Sequence, residues 1–195
     1  MPHMPPVTKT LMLICVGLFC VFLLVPYQVT AWFELWPLQT GNFWPWQLFT
    51  YAFLHGSIGH LFFNMLGLWM FGSELEQLWG PKRYMQMLAA SVLSAALVQL
   101  AFTYLIGSGT PTVGASGALF GLLLSFGMLF PNRIIMPLFP PIPMKAKYFV
   151  AVFGALELFM GLGGGGGIAH FAHLGGMLGA YLLIRYWRSG RTRRR

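Results

Sequence analysis

Residues 114–131 read GASGALFGLLLSFGMLFP, an apolar run that opens on a serine held between glycines and stops at a proline. A helix over Ser116 to Phe130 is about 22 Å long at 1.5 Å per residue, against an apolar bilayer core of about 30 Å that takes about 20 helical residues to cross. The segment is thus apolar enough for lipid and too short to reach both surfaces, so its first turn, with Ser116, is expected several ångströms below one of them. Gly117 and Gly121 follow in G-x-x-x-G spacing, the pattern that lets two helix backbones approach closely.

The surrounding chain has the same solvent preference. Of 195 residues 57% are hydrophobic and 8% charged, and the mean hydropathy is +0.68, which is outside the range of soluble domains. Five further apolar stretches accompany the first, so that six membrane helices are expected over 11–26, 60–79, 84–106, 116–130, 148–162 and 171–187. They make one membrane domain over residues 1–195, an all-α integral membrane protein without internal repeat or soluble appendage. The basic residues Lys9, Lys82, Arg83, Arg133, Lys145, Lys147, Arg185, Arg188, Arg191 and Arg193 to Arg195 avoid the connections after the first, third and fifth stretches. The positive-inside rule puts both termini in the cytoplasm and those three connections outside. A net charge of +8 confined to cytoplasmic edges reads as an anchor on anionic lipid, not as a nucleic-acid surface. The first apolar run has a basic start but no A-x-A site, and reads as a retained helix. Cys15 and Cys20 lie on different faces of it and indicate no redox compartment.

Three connections have their own character. Val29 to Gly59 is long and dense in aromatics, among them Trp32, Trp36, Trp44 and Trp46, as expected of a structured loop in the headgroup region. GLGGGGG at 161–167 loses too much backbone freedom to hold as a helix and reads as a mobile outer loop. FPPIP at 139–143 reads as a stiff extended turn on the inner side.

Polar side chains inside lipid are costly and mark function. Here they gather at the outer ends of three helices. HLFFN sets His60 and Asn64 at i and i+4 on one helix face, Ser116 opens the fourth stretch, and HFAHLGG sets His170 and His173 at the start of the sixth. A second G-x-x-x-G, Gly175 and Gly179, follows His173. Both helices run from outside to inside, so packing Gly117 and Gly121 against Gly175 and Gly179 in parallel brings Ser116 beside His173. A hydroxyl within reach of an imidazole is the nucleophile and base of acyl transfer. The N-terminus of the fourth helix adds unpaired N–H groups for a developing oxyanion, joined by Asn64 and His60.

These residues resemble the rhomboid intramembrane serine proteases, from about Trp46 to the last helix. GASG carries the family's G-x-S-G, HLFFN its H-x-x-x-N and AHLGG its sixth-helix motif, in the right order on the second, fourth and sixth helices. The resemblance implies a six-transmembrane-helix rhomboid-like bundle and a Ser-His dyad, with Ser116 as nucleophile and His173 as general base and then acid. It implies an oxyanion hole from the Ser116 backbone N–H, His60 and Asn64. His55 matches a further histidine of the first loop region. Phe120 stands where a tyrosine often packs on the catalytic histidine, and the family's Trp-Arg pair stands as Trp46 and Gln47. Glu76 matches an acid at the inner end of helix two, with Leu78 where a basic residue is usual nearby.

Glu157, taken as the lone buried acid, is expected to be a structural hydrogen-bond partner, since the family works with a dyad. No metal and no cofactor is expected: the histidines have no H-E-x-x-H pattern and no carboxylate beside them to suggest a zinc protease. The expected activity is endoproteolysis of single-pass membrane proteins within their transmembrane segments, from the outer side, in the lipid bilayer of a bacterial plasma membrane, with no nucleic-acid partner. Substrate enters laterally and unwinds before attack. The other reading is a proteolytically inactive rhomboid-like protein that binds transmembrane helices; such proteins typically lack the serine or the histidine, and this chain has both. A channel needs polar groups through both leaflets, and here they stop halfway.

Overall fold

The computed structural model describes residues 4–137, 141–163 and 169–192. Eight α-helices follow one another: α1 (Pro6–Phe22), the short α2 (Tyr27–Ala31) and α3 (Gln47–Thr50), α4 (Ile58–Gly67), α5 (Ser73–Ile106), α6 (Ser116–Leu129), α7 (Ala146–Leu162) and α8 (His170–Thr192). Helix covers most of each expected apolar stretch: 60–79 is shared between α4, the turn at Leu68–Gly72 and the start of α5, and 84–106 lies within α5. Strand pairing is limited, among the described residues, to a two-residue antiparallel ladder, Ile134–Ile135 on Met144–Lys145, and a single bridge between Leu35 and Thr112. The ladder closes the connection between α6 and α7, where a bare extended turn was expected. Residues 138–140 of that turn and 164–168 of the glycine run lie outside the described residues; Gly161 itself belongs to the last turn of α7.

Only the stretch Ile58–Ile106, among the described residues, is both long and apolar enough to count by itself as a membrane span, with Pro6–Phe22 and Ser116–Leu129 as shorter apolar helices. That stretch is not one rod. A π-turn at Leu68–Gly72 links α4 to α5, and α5 breaks at Gly80, whose φ of 75° and ψ of 165° are not helical and precede Pro81. A straight helix would separate Gly72 from Tyr84 by about 18 Å, yet a Cβ on Gly72 would run into the Tyr84 hydroxyl. The chain therefore doubles back at Gly80, where only glycine takes the positive φ without strain. The part of α5 after the break runs antiparallel to the part before it.

The burial pattern is that of a protein in lipid. Leu24, Leu105, Ile58 and Phe159 are more than three-quarters exposed, whereas Thr8, Gln47, Ser73, Ser91, Ser125 and Glu76 are at most 2% exposed. Buried polar groups need partners, and Glu76 has several. Its Oε1 accepts the Val7 N–H (2.9 Å) and its Oε2 accepts both the N–H and the hydroxyl of Thr8 (2.7 and 2.8 Å). A carboxylate on α5 thus satisfies the free N–H groups at the start of α1. Glu157 is consequently not the lone buried acid: Glu76 is 2% and Glu34 7% exposed.

Loop one is held by Gln47, which is wholly buried. Its Oε1 accepts the backbone N–H groups of Trp36 and Trp44 (both 3.2 Å), and its Nε2 donates to the carbonyls of Asn42 (3.1 Å) and Trp32 (3.3 Å). Around it Trp32, Trp44 and Trp46 stack with centroids 5.0 to 6.3 Å apart. The neutral amide supplies both donors and acceptors to the loop backbone, which an arginine, with donors only, could not do.

Candidate active site

Ser116 is the first residue of α6, preceded by Gly114 at φ 125°. The Gly114 N–H donates to the Tyr51 carbonyl (2.9 Å), and the buried Tyr51 hydroxyl donates to the Val92 carbonyl on α5 (2.9 Å). One residue, through its carbonyl and its hydroxyl, thereby ties loop one to the approach to the serine and to the neighbouring helix. A Cβ on Gly114 would lie 2.6 Å from the His60 ring, so glycine there lets His60 lie against the backbone two residues before Ser116.

His173, one turn into α8, comes to the same point. Its Nε2 stands 2.8 Å from the Ser116 Oγ, and its ring lies flat on Phe120, with centroids 4.3 Å apart and planes 6° apart. The packing beneath differs from expectation, since neither Gly175 nor Gly179 meets α6. Helices α6 and α8 do run in parallel register, but the glycine that faces α6 is Gly176: a Cβ there would collide with the backbone of Gly117, and one on Gly121 would reach the Gly176 carbonyl. Gly175 and Gly179 face α5, where added Cβ atoms would meet Val98 and Ala95, and Ala90 and Ser94. Three glycines on adjoining faces let α8 touch two helices at backbone distance.

The remaining expected residues divide. His60 lines the same cavity as Ser116 and His173, a hollow of about 730 Å³ whose walls also include Gln99, Thr103 and His170. Its N–H is capped by Ser57 Oγ (3.1 Å). Asn64 is buried, but its Nδ2 donates back to the His60 carbonyl (2.8 Å), its Oδ1 has no hydrogen-bond partner among the described residues, and it does not line the hollow. His55 packs edge-on against His60 at 5.1 Å. Burial, reinforced by the neighbouring His60, pushes the His55 pKa down to about 4, so it is neutral at pH 7.

A carboxylate stands beside the histidines, contrary to expectation. Glu157 Oε2, from α7, is hydrogen-bonded to His170 Nδ1 at 2.7 Å and lies 2.8 Å from His173 Nδ1. The second approach does not have hydrogen-bond geometry, and His173 Nδ1 has no hydrogen-bond partner among the described residues, so the contact is electrostatic. The partnership with His170 agrees with a structural role for Glu157, and the proximity to His173 was not anticipated. The one sequence signal for it was an acid in a lipid-facing helix, which requires a buried partner somewhere.

Residues 42–189 match the Rhomboid domain. The chain is 37% identical over 94 residues to Rhomboid protein 1, mitochondrial, of Saccharomyces cerevisiae, covering 47% of this chain and 27% of that protein. It is 30% identical over 142 residues to Rhomboid protease GluP of Bacillus subtilis, covering 70% and 25%. To Rhomboid protease GlpG of Yersinia pestis it is 26% identical over 186 residues, covering 93% and 62%. The chain thus spans about a quarter of the first two relatives and somewhat under two thirds of the third. With the domain match extending from loop one to the end of α8, through the serine, the histidine and the helices that join them, this all-helical membrane protein belongs to the rhomboid family.

Proposed function

We propose that the chain is an intramembrane serine endopeptidase working through Ser116 and His173. The observation that carries this reading is the 2.8 Å approach of His173 Nε2 to the Ser116 Oγ at the first turn of a helix, where unpaired N–H groups collect. His173 Nε2 removes the hydroxyl proton as Oγ attacks the scissile carbonyl carbon. The tetrahedral oxyanion is met by the Ser116 N–H, with His60 and Asn64 as further donors; Asn64 keeps one N–H beyond its bond to the His60 carbonyl. Collapse breaks the C–N bond, and His173 returns the proton to the leaving amine. A water then repeats the sequence on the acyl-enzyme through the same base.

On this reading the substrates are single-pass membrane proteins, cut in or near the transmembrane segment. A regular helix keeps its carbonyls in hydrogen bonds, so the substrate unwinds locally before attack. The chain crosses the bilayer six times as one domain, with the dyad toward the outer side. The distribution of Lys and Arg supports that orientation, and matches to bacterial relatives support a bacterial plasma membrane. The test is to incubate detergent-purified protein with a fluorophosphonate or isocoumarin probe and map the adduct, alongside cleavage of a model transmembrane substrate. A single adduct on Ser116, with cleavage lost in both Ser116→Ala and His173→Ala, is expected. Cleavage that survives either substitution overturns the dyad, and no cleavage by the parent favours the inactive, helix-binding reading.

A further inference from the structure

From the cluster formed by Glu157, His170 and His173 we infer a divalent-cation site of the zinc class, which switches proteolysis off by fixing the proton of His173 on the wrong nitrogen. This inference rests on the reading of Ser116 and His173 as the reacting pair.

The donor set is that of a zinc site. Two histidines at i and i+3 on α8 and one carboxylate from α7 bring one ligand atom each to within 4.8 Å of one another. A tetrahedral zinc ion with bonds of about 2.0–2.2 Å keeps its ligands about 3.4 Å apart, so Glu157 Oε2, now 2.7 and 2.8 Å from the two Nδ1 atoms, moves outward as an ion enters. Both histidines are more than nine-tenths buried, and His173 Nδ1 lacks a hydrogen-bond partner among the described residues. The hollow lined by both rings supplies an entry path and room for a water as fourth ligand.

The consequence follows from the two ring nitrogens. His173 faces Ser116 with Nε2 and Glu157 with Nδ1. Beside the carboxylate alone, the proton of the neutral ring belongs on Nδ1, which leaves the Nε2 lone pair free to accept the serine proton. A metal ion on Nδ1 displaces the proton held there and binds the Nδ1 lone pair, so the neutral ring carries its one proton on Nε2. Nε2 then donates to Ser116 and no longer works as a base. The ring need not move: inhibition leaves the Ser116 to His173 distance unchanged, and a chelator reverses it.

Two measurements test this. Ser116→Ala protein, stripped with EDTA and dialysed against zinc, is expected to retain a single zinc ion, and with cobalt to develop the visible d–d bands of a tetrahedral site. Glu157→Gln and His170→Gln, in the same background, are expected to lose both. This reading needs no proteolysis, so it stands or falls apart from the assignment of activity. In the active protein, low-micromolar zinc is expected to depress cleavage at least tenfold and EDTA to restore it. His170→Gln, measured against its own metal-free rate, is expected to be at least about tenfold less sensitive to zinc. His170→Asn replaces it if thermal unfolding in detergent shows that the glutamine variant does not fold. A Ser116→Ala protein that holds no zinc, metal retained equally by the His170 variants, or zinc bound without effect on cleavage overturns the inference.

Discussion

Glu157 sits between two histidines, and the geometry assigns it different work on each. Its bond to His170 Nδ1 is a proper hydrogen bond across the α7–α8 interface, whereas its approach to His173 Nδ1 is an electrostatic contact. A triad acid that orients the base through a hydrogen bond costs about 10⁴ in kcat when it becomes an amide. Glu157→Gln should therefore cost much less, about tenfold or under, because the tautomer preference is weakened and no orienting bond is lost. A fall of several orders of magnitude in a folded variant would make Glu157 a true third member. Asn64→Ala addresses the other side of the reaction. With one N–H left for the oxyanion, the variant is expected to lose about 10- to 1,000-fold in kcat with KM nearly unchanged. A defect confined to KM assigns Asn64 to substrate binding.

Among the elements, α8 organises the site, since it touches α6 through Gly176 and α5 through Gly175 and Gly179. The two contacts have different consequences. A side chain at 176 pushes α8 away from the helix that carries Ser116, and a shift of about 1 Å costs about a hundredfold in rate. Gly176→Leu should thus strip most cleavage while the polar residues remain in place. Gly179→Leu strains the contact with α5, near the Ala90 carbonyl, and its first effect should be a lower unfolding temperature in detergent. Measured on the same samples, cleavage and unfolding separate the two. If Gly176→Leu folds and cleaves like the parent, the α6–α8 contact does not set the dyad distance. Helix α7 differs in kind: its buried residues, Ala146, Phe149 and Val150, belong to its N-terminal half. Its C-terminal half exposes Leu156, Phe159 and Leu162 and meets α8 through Glu157.

At the scale of the whole molecule, loop one, α4 and α6 converge on the pair His55 and His60. The His55 pKa is pushed down to about 4 by burial and by the charge His60 can carry, against about 6.5 in the unfolded chain. Above pH 6.5 both states are neutral and this group adds no pH dependence. As the pH falls below that value the unfolded state takes up the proton first, so the folded state loses stability down to about pH 4. The unfolding temperature in detergent is expected to drop across that window, and less steeply in His55→Gln. Equal slopes in the two proteins would show that other groups carry the acid sensitivity. Far from the site, Glu76 bonded to the start of α1 and the Arg133–Glu74 ion pair bind the helices together, and side chains gather around a hollow at the opposite ends.

Solvent preference and the cost of polarity in lipid were readable along the chain, because each residue carries its transfer energy wherever it sits. That is why the apolar stretches, and the polar residues set among them at Ser116, His173, His60 and Asn64, stand out from composition and spacing. Which glycine meets which helix was not. Gly175, Gly176 and Gly179 offer α8 two small-residue faces, and the choice between them depends on where α5 and α6 stand. The reversal at Gly80 is hidden for a like reason, since glycine before proline permits a break and the return of Tyr84 to Gly72 realises it. Gln47 shows chemistry that residue type disguises: four backbone bonds to one amide are visible only once the loop has closed around it. Glu157 meets His170 and His173 from another helix, and no periodicity within either helix encodes that meeting. Local energies select the elements and mark the polar residues; contacts between helices decide distance, tautomer and ligand set, because they depend on coordinates no single segment possesses.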